Sequence, residues 1–195
     1  DLSRANLAHA TLDGAILTGA NLVGAKLDGA SLKGADLREA YLREVSARGA
    51  DFRGASLGNA DLTRADLRKA RLPRAILSEA RLDEVDLSGA EAIGAVFTKA
   101  QGARLNAEGA DLTELKAAKS RFEGANFKKA RADGSIWEAA MLAGANFSLA
   151  QLKKAEFSSA NLEGAVLVSA DIREGRFVDA ILRRADLTRA NLFRG

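Results

Sequence analysis

The sequence predicts an all-β solenoid, and three observations lead to that prediction. Large apolar residues recur every five residues from Leu2 to Leu192 without a change of register. Small residues precede them by two positions, as Ala5 precedes Leu7. Glycines cluster two positions after them, as Gly14 follows Leu12. A short period sustained over a whole chain is typical of stacked-coil architectures.

The five-residue period is incompatible with one regular helix or strand. A helix returns to the same face about every 3.6 residues and a strand every two, so neither keeps a five-residue stripe on one side. One short extended segment plus one turn does fit five residues. Residues two apart on an extended segment point the same way, so the large and small residues should share one interior.

The large residue, which we call the centre of each pentad, defines the predicted core. Of 39 centres, 24 are Leu and seven are Phe, while Ile172 and Trp137 are two others. Ala occupies 31 of the positions two residues before a centre. We therefore expect a narrow, filled axis with one large and one small side chain per pentad.

Glycine and proline mark the predicted turn. Fourteen of the 18 glycines lie two residues after a centre. A type II turn needs a positive φ at that position, which glycine adopts without steric cost. Pro73 follows its centre directly, at the preceding turn position, where a fixed φ is favourable.

The residue before the centre completes a recognisable motif. It is Asp or Asn in 16 pentads, which gives the pattern A-(D/N)-L-x-x, as in Ala20-Asn21-Leu22 and Ala60-Asp61-Leu62. This pattern resembles that of the pentapeptide repeat family over the whole chain. The resemblance implies a right-handed quadrilateral β-helix in which four pentads form each coil. The 39 pentads would then make about ten four-sided coils.

The chain reads as one domain, 1–195, because no linker or shift in composition interrupts the repeat. It starts at Asp1 and stops at Gly195 in mid-pattern, without the polar caps that solenoids use to close a stack. The sequence therefore predicts part of a longer chain, and it predicts end-to-end self-association through uncapped coils.

Six pentads have a small centre, and volume exchange is expected to repair some of them. A larger residue precedes three of these centres: Val45 with Ala47, Leu105 with Ala107, and Leu115 with Ala117. Cores tolerate such volume-conserving exchanges best. The reverse exchange pairs Ser135 with Trp137, whereas Ala92, Gly102 and Ala132 have no local compensation. We expect residues 92–135 to be slightly looser or bulged, or alternatively to form a bend or groove that binds a ligand.

The charge of the chain is balanced on every side. The chain has 29 Lys and Arg and 26 Asp and Glu, a net charge of +3. Successive pentads can be assigned in turn to faces 1 to 4, with the pentads of Leu2, Leu7, Leu12 and Leu17 first. The basic and acidic counts are then 8 and 7, 7 and 5, 9 and 8, and 5 and 6. No face is strongly charged.

Charges 20 residues apart are predicted to stack with alternating sign. Opposite charges on adjacent strands attract. The ladders expected are Glu44-Arg64-Glu84-Arg104, Asp51-Arg71-Glu91 and Lys154-Glu174-Arg194.

The residue types that catalysis needs are nearly absent. There is no Cys, and His9 is the only His, at a predicted turn corner. A catalytic triad or a His-rich metal site would depend on that one residue. The glycines recur for turns, and no phosphate-binding G-x-x-x-x-G-K-[ST] motif is present. We predict no enzyme activity, no catalytic or metal site and no cofactor.

No apolar run of 18 residues predicts a membrane span, and no signal peptide is visible. This pattern favours a cytoplasmic protein, or one secreted through a route independent of a signal peptide.

Exposed apolar positions give the candidate interaction surface. Single apolar residues are common on protein surfaces, but a contiguous set marks a contact site. Leu149, Val166 and Val168 should lie on adjacent coils of face 2. Ile76 and Val96 should be vertical neighbours on face 4, with Ile136 two coils further on.

Three functions compete at this stage. The sequence favours a non-catalytic protein–protein interaction or scaffold module of a bacterial protein, with a protein partner and no specific nucleic acid. The alternative implied by the resemblance is a DNA-mimic regulator or inhibitor of a type II topoisomerase. DNA carries one negative charge per about 1.7 Å, so a mimic needs a strongly acidic face, which this chain lacks. The third function, an enzyme, is the least favoured.

Overall fold

The computed structural model describes residues 1–193 and shows a β-helix solenoid. Its regular structure consists of single-residue parallel β-bridges, with no helix among residues 1–193. Every bridge joins the residue before one centre to the residue 20 positions later, as in Asn21–Tyr41 and Tyr41–Asp61. Because four pentads span 20 residues, the chain returns to the same column after four pentads. The bridges run from Asn6–Lys26 to Asp171–Asn191.

Backbone hydrogen bonds tie each coil to the next. The N–H of Leu22 donates to the carbonyl of Tyr41 over 2.8 Å, and the N–H of Gly24 donates to Arg43 over 2.9 Å. In return, the N–H of Tyr41 donates to Ala20 over 2.9 Å. A fourth bond closes the turn, from Ala25 N–H to Leu22 C=O. Only the N–H one residue after the centre lacks a backbone acceptor in this scheme.

The Asp or Asn before the centre supplies that acceptor. Each side chain accepts the N–H two residues later, as Asn21 does from Val23 and Asp61 from Thr63. All 16 pentads with Asp or Asn make this bond. Such side-chain bonds are the reason that Asp and Asn favour turns.

In four pentads without Asp or Asn, the N–H one residue after the centre donates to a side chain in the preceding coil. In each, an aspartate 20 residues earlier accepts the same N–H. The pairs are Asp13 with Lys33, Asp28 with Arg48, Asp83 with Ala103, and Asp133 with Lys153. The residue before the centre in these pentads is Ser31, Ser46, Gln101 or Gln151. The turn N–H therefore finds its acceptor either within its own pentad or in the preceding coil.

The corner two residues after each centre has a positive φ in every pentad from residue 4 to residue 189. Glycine holds fourteen of these corners, which confirms the predicted turn position. The other corners are non-glycine, with φ from 53° at Ala139 to 60° at His9. A left-handed conformation costs an L-residue about 1–2 kcal/mol. The stacked backbone must therefore impose this conformation at most corners.

The centres and their small partners form one continuous core from Leu22 to Ile172. Leu67, Leu72 and Leu77 are fully buried, and the partner Ala65 is 1% exposed. This burial confirms the predicted axis. Centres in the first and last coils, each packed against one coil only, are partly exposed.

The size-exchanged pentads keep the register, as predicted. Leu105 and Leu115 are each 1% exposed, beside fully buried Ala107 and Ala117. The expectation of a bulged segment at 92–135 was wrong, because the bridges Glu91–Asp111, Gln101–Arg121 and Asp111–Arg131 continue at the same spacing.

An aromatic ring from the next coil supplies the volume that Gly102 lacks. A Cβ at Gly102 would lie 2.7 Å from the ring of Phe122, one coil further along the same face. Phe122 also packs edge-on against Phe127 and Trp137, with ring centroids 5.9 and 6.2 Å away. At Gly102 the compensation therefore comes from a residue 20 positions away.

The predicted charge ladders are present. Arg64 lies 3.9 Å from Glu44 and 3.2 Å from Glu84, and Glu84 also pairs with Arg104. The second ladder places Arg71 at 3.5 Å from Asp51 and 3.3 Å from Glu91. In the third, Lys154 lies 3.8 Å from Glu174, and Arg194 falls outside the described residues. These contacts confirm the 20-residue stacking.

Candidate functional site

The face 2 patch consists of Leu149, Val166 and Val168, and the structure brings these residues together. Leu149 is 51% exposed, and both valines are half-buried. The N–H of Leu149 donates to the carbonyl of Val168 over 2.9 Å. Val166 bridges Asn146 in the coil that carries Leu149. The three residues therefore span two adjacent coils on one side of the solenoid.

The local structure makes Leu149 unusual. It occupies a corner with a φ of 59°. Of the 38 corners described, it is the only one with a large apolar side chain, since the others carry Gly, Ala or a polar residue. A branched residue at positive φ, half exposed to water, is unfavourable on both counts. The positive φ is shared with the other non-glycine corners, so the exposed apolar side chain is what sets Leu149 apart.

The polar residues beside Leu149 are hydrogen-bonded to one another. The side-chain oxygen of Asn146 accepts the N–H of Ser148 over 2.9 Å and its hydroxyl over 2.7 Å. The side-chain oxygen of Asn146 is therefore engaged within its own turn.

The face 4 residues are only partly brought together. Ile76 is 44% exposed and bridges half-buried Val96 in the next coil. Lys116 bridges both Val96 and Ile136, so it separates Ile136 from the pair. Ile136 itself is 37% exposed. The face 4 set is thus two neighbouring residues and one isolated residue.

Sequence reasoning missed other exposed apolar residues. Tyr41, Met141 and Ile181 lie on face 1, and Ile16 and Val178 on face 4. Four of these five stand directly before a centre, where Asp and Asn otherwise accept the turn N–H. An apolar residue at that position was the signal available in the sequence.

A surface depression with a volume of about 560 Å³ lies on face 1. Its lining includes Asp83, Gly102, Arg121 and Glu123. The carboxylate of Asp83 already accepts the N–H of Ala103 over 3.0 Å, and Arg121 pairs with Glu123 over 3.4 Å. Most of its charged groups are therefore engaged in bonds within the protein.

No cluster of His, Cys, Asp and Glu within residues 1–193 has the arrangement of a metal site. His9 is exposed at its corner, and its ring lies over Gly29 in the next coil. The same described range contains no helix with the length and hydropathy needed to cross a membrane.

The perturbed carboxyl groups belong to turns. Hydrogen bonds from the Arg68 side chain hold the pKa of Asp66 far below its usual range, with a further contribution from Arg48. The Arg38 side chain lowers the pKa of Asp36 in the same way. Both carboxylates also accept the turn N–H, so their pKa shifts reflect the repeat and do not indicate an active site.

Comparison with known proteins gives a clear family match. The model of pentapeptide repeats matches in eight copies, over residues 1–38, 40–78, 75–114, 120–158, 138–167 and 165–193. A search of curated proteins found no significant match.

Solved pentapeptide repeat proteins resemble the chain in sequence, although they superpose loosely. HetL from the cyanobacterium Nostoc, a protein involved in heterocyst differentiation regulation, is 29% identical. The match covers 95% of this chain and 90% of HetL, with a TM-score of 0.39. Full-length QnrB1, a plasmid-mediated fluoroquinolone resistance protein, is 21% identical, with 88% and 91% covered and a TM-score of 0.42. A thylakoid-lumen protein from Arabidopsis thaliana is 26% identical, with 57% and 67% covered and a TM-score of 0.23.

Proposed function

Because the chain belongs to the pentapeptide repeat family, whose repeat explains its core and its turns, we propose that it is a non-catalytic protein–protein interaction or scaffold module of a bacterial protein. We take the solenoid to be right-handed and four-sided, with about ten coils. The 20-residue spacing of the bridges supports four pentads per coil.

The face 2 patch is the observation that carries this proposal. Leu149 projects from a corner where other pentads place glycine or, in nearly every remaining case, a polar residue, and two valines lie beside it. Neighbouring apolar residues on an otherwise charged surface are characteristic of contact sites. The repeat provides a rigid support, because the centres beneath the patch, Phe147 and Leu167, are fully buried.

The surface charge does not favour a DNA mimic. The face with the most negative balance, face 4, has five basic and six acidic residues. The acidic side chains of the ladders are paired with arginine or lysine in a neighbouring coil. A supercoiling assay with DNA gyrase tests this alternative, and potent inhibition by the purified chain would count against an interaction module.

A partner-binding experiment tests the main proposal. Proteins that copurify with the chain from bacterial cells should be expressed, purified and titrated against wild-type protein. Binding at a fixed stoichiometry should weaken about tenfold or more in Leu149→Asn. Asn tolerates a positive φ, so this variant should fold. Ile76→Ser on face 4 is the matched control and should retain binding. Failure of every purified candidate to bind would contradict the proposal.

A further inference from the structure

We propose that the face 2 patch binds an extended acidic segment of a partner protein, in which one apolar side chain lies between two acidic ones. This inference rests on the proposed function and adds the chemistry of the partner. It comes from the charges around the patch.

Three cations lie beside the patch. Lys129 occupies the same corner column as Leu149, one coil earlier, and Arg189 occupies it two coils later. Lys128 lies next to Lys129 on face 2. Within residues 1–193, none of these three side chains makes an ion pair, whereas the arginines of the ladders do.

One acidic side chain beside the patch is hydrogen-bonded within its own turn. Asp186 bridges Val166 from the next coil. Its carboxylate accepts the N–H and the hydroxyl of Thr188, over 2.9 and 2.5 Å. The Asp186 carboxylate keeps its negative charge, so it offsets one of the three cations, and an acidic ligand would supply further counter-charges.

The spacing of these groups determines the form of the ligand. Coils stack at about 4.8 Å, so Lys129 and Arg189, three coils apart, are separated by about 14 Å. In an extended peptide, residues i and i+4 are about 13 Å apart, and residue i+2 points to the same side between them. The pattern acidic-x-apolar-x-acidic would thus place its acids near Lys129 and Arg189 and its apolar residue against Leu149 and Val168.

An uncharged centre distinguishes this ligand from a nucleic acid. A phosphate backbone would require cations along its whole length, but Leu149 and Ser169 fill the column between Lys129 and Arg189. Apolar contact at the centre with ionic contact at the edges is the usual anatomy of a protein interface.

A random 12-residue peptide library displayed on phage provides a direct test. Selection on the purified full chain should enrich acidic-x-apolar-x-acidic sequences. A synthetic consensus peptide should bind about tenfold more weakly to Leu149→Asn, and Lys129→Glu should weaken binding and reduce its salt dependence. A peptide with the two acids changed to Lys should regain binding to the Lys129→Glu, Arg189→Glu double variant.

Other outcomes overturn the inference and separate it from the proposed function. Enriched peptides that bind Leu149→Asn as well as wild type, but lose binding to Ile76→Ser, would leave an interaction module that uses a different face. Enrichment of basic or uncharged sequences, or of none, would contradict the acidic ligand. Tighter binding to duplex DNA or to phosphatidylglycerol vesicles than to the consensus peptide, with loss in Lys129→Glu, would assign the cations to a different class of partner.

Discussion

The indole N–H of Trp137 donates a hydrogen bond of 2.6 Å to the hydroxyl of Ser135, two residues earlier, and both residues are fully buried. The same hydroxyl donates to the carbonyl of Ala132 over 2.7 Å. Ser135 thus makes room for the largest side chain of the core and also satisfies its only polar group. A buried donor without an acceptor costs about 1–3 kcal/mol.

Ser135→Ala should therefore destabilise the protein by about 1–3 kcal/mol, because it leaves the indole N–H unsatisfied. Urea denaturation measures the loss. The matched control is Ser120→Ala, since the buried hydroxyl of Ser120 has no hydrogen-bond partner within residues 1–193, and this change should be neutral or stabilising. Equal effects of the two changes would contradict the role assigned to Ser135.

Because the axis is filled, removing volume from it and adding volume to it should both destabilise the protein. Leu67→Ala should cost about 2–5 kcal/mol, because it leaves a cavity between fully packed coils. Ala65→Leu should cost about 1–3 kcal/mol through overpacking. Both follow from denaturant midpoints, and neutrality of either change would rule out a tightly filled core.

The N–H of Ala103 donates to Asp83 in the preceding coil, and an acceptor within the pentad of Ala103 should replace that carboxylate. Asp83→Ala should cost about 0.5–1.5 kcal/mol, because the N–H of Ala103 loses its acceptor. Adding Gln101→Asn should recover most of that stability, since Asn before a centre accepts this N–H elsewhere in the repeat. Thermal unfolding of the single and double variants compares the two. If the double variant is no more stable than Asp83→Ala, the two acceptors are not interchangeable.

Charge reversal tests the ladder. Arg64→Glu places three acidic side chains in one column and should lower stability by about 1 kcal/mol or less, with the loss shrinking at high salt. Arg74→Glu is the control, because Arg74 occupies an equivalent corner between Gly54 and Gly94. Salt titration of the unfolding midpoint measures both, and an identical response of the two variants would mean that the ladder contributes nothing.

The turn carboxylates predict a loss of stability in acid. Hydrogen bonds from Arg68 lower the pKa of Asp66 in the folded state, so its contribution is fully present above the unfolded pKa of about 3.9. It is lost as the pH falls below that value toward the lowered folded pKa. Denaturant midpoints between pH 6 and pH 2 should fall less steeply in Asp66→Asn than in wild type. An equally steep fall in the two proteins would contradict the role assigned to Asp66.

The sequence by itself determined the solenoid, its register and its core. A five-residue period is local information, so the burial of Leu67, the inward orientation of Leu105 and the ladder through Arg64 could all be predicted from spacing. The face 2 patch followed from the same counting, since it needs only the identity of exposed positions.

Only the tertiary structure shows the contacts between side chains of neighbouring coils. It showed that Phe122 fills the space at Gly102, that Asp83 accepts the N–H of Ala103, and that Leu149 and the other non-glycine corners keep a positive φ. The first two contacts join residues 20 apart, and no local pattern states that one side chain replaces another across that distance. The third depends on a backbone conformation that stacking imposes on residues whose own preferences oppose it.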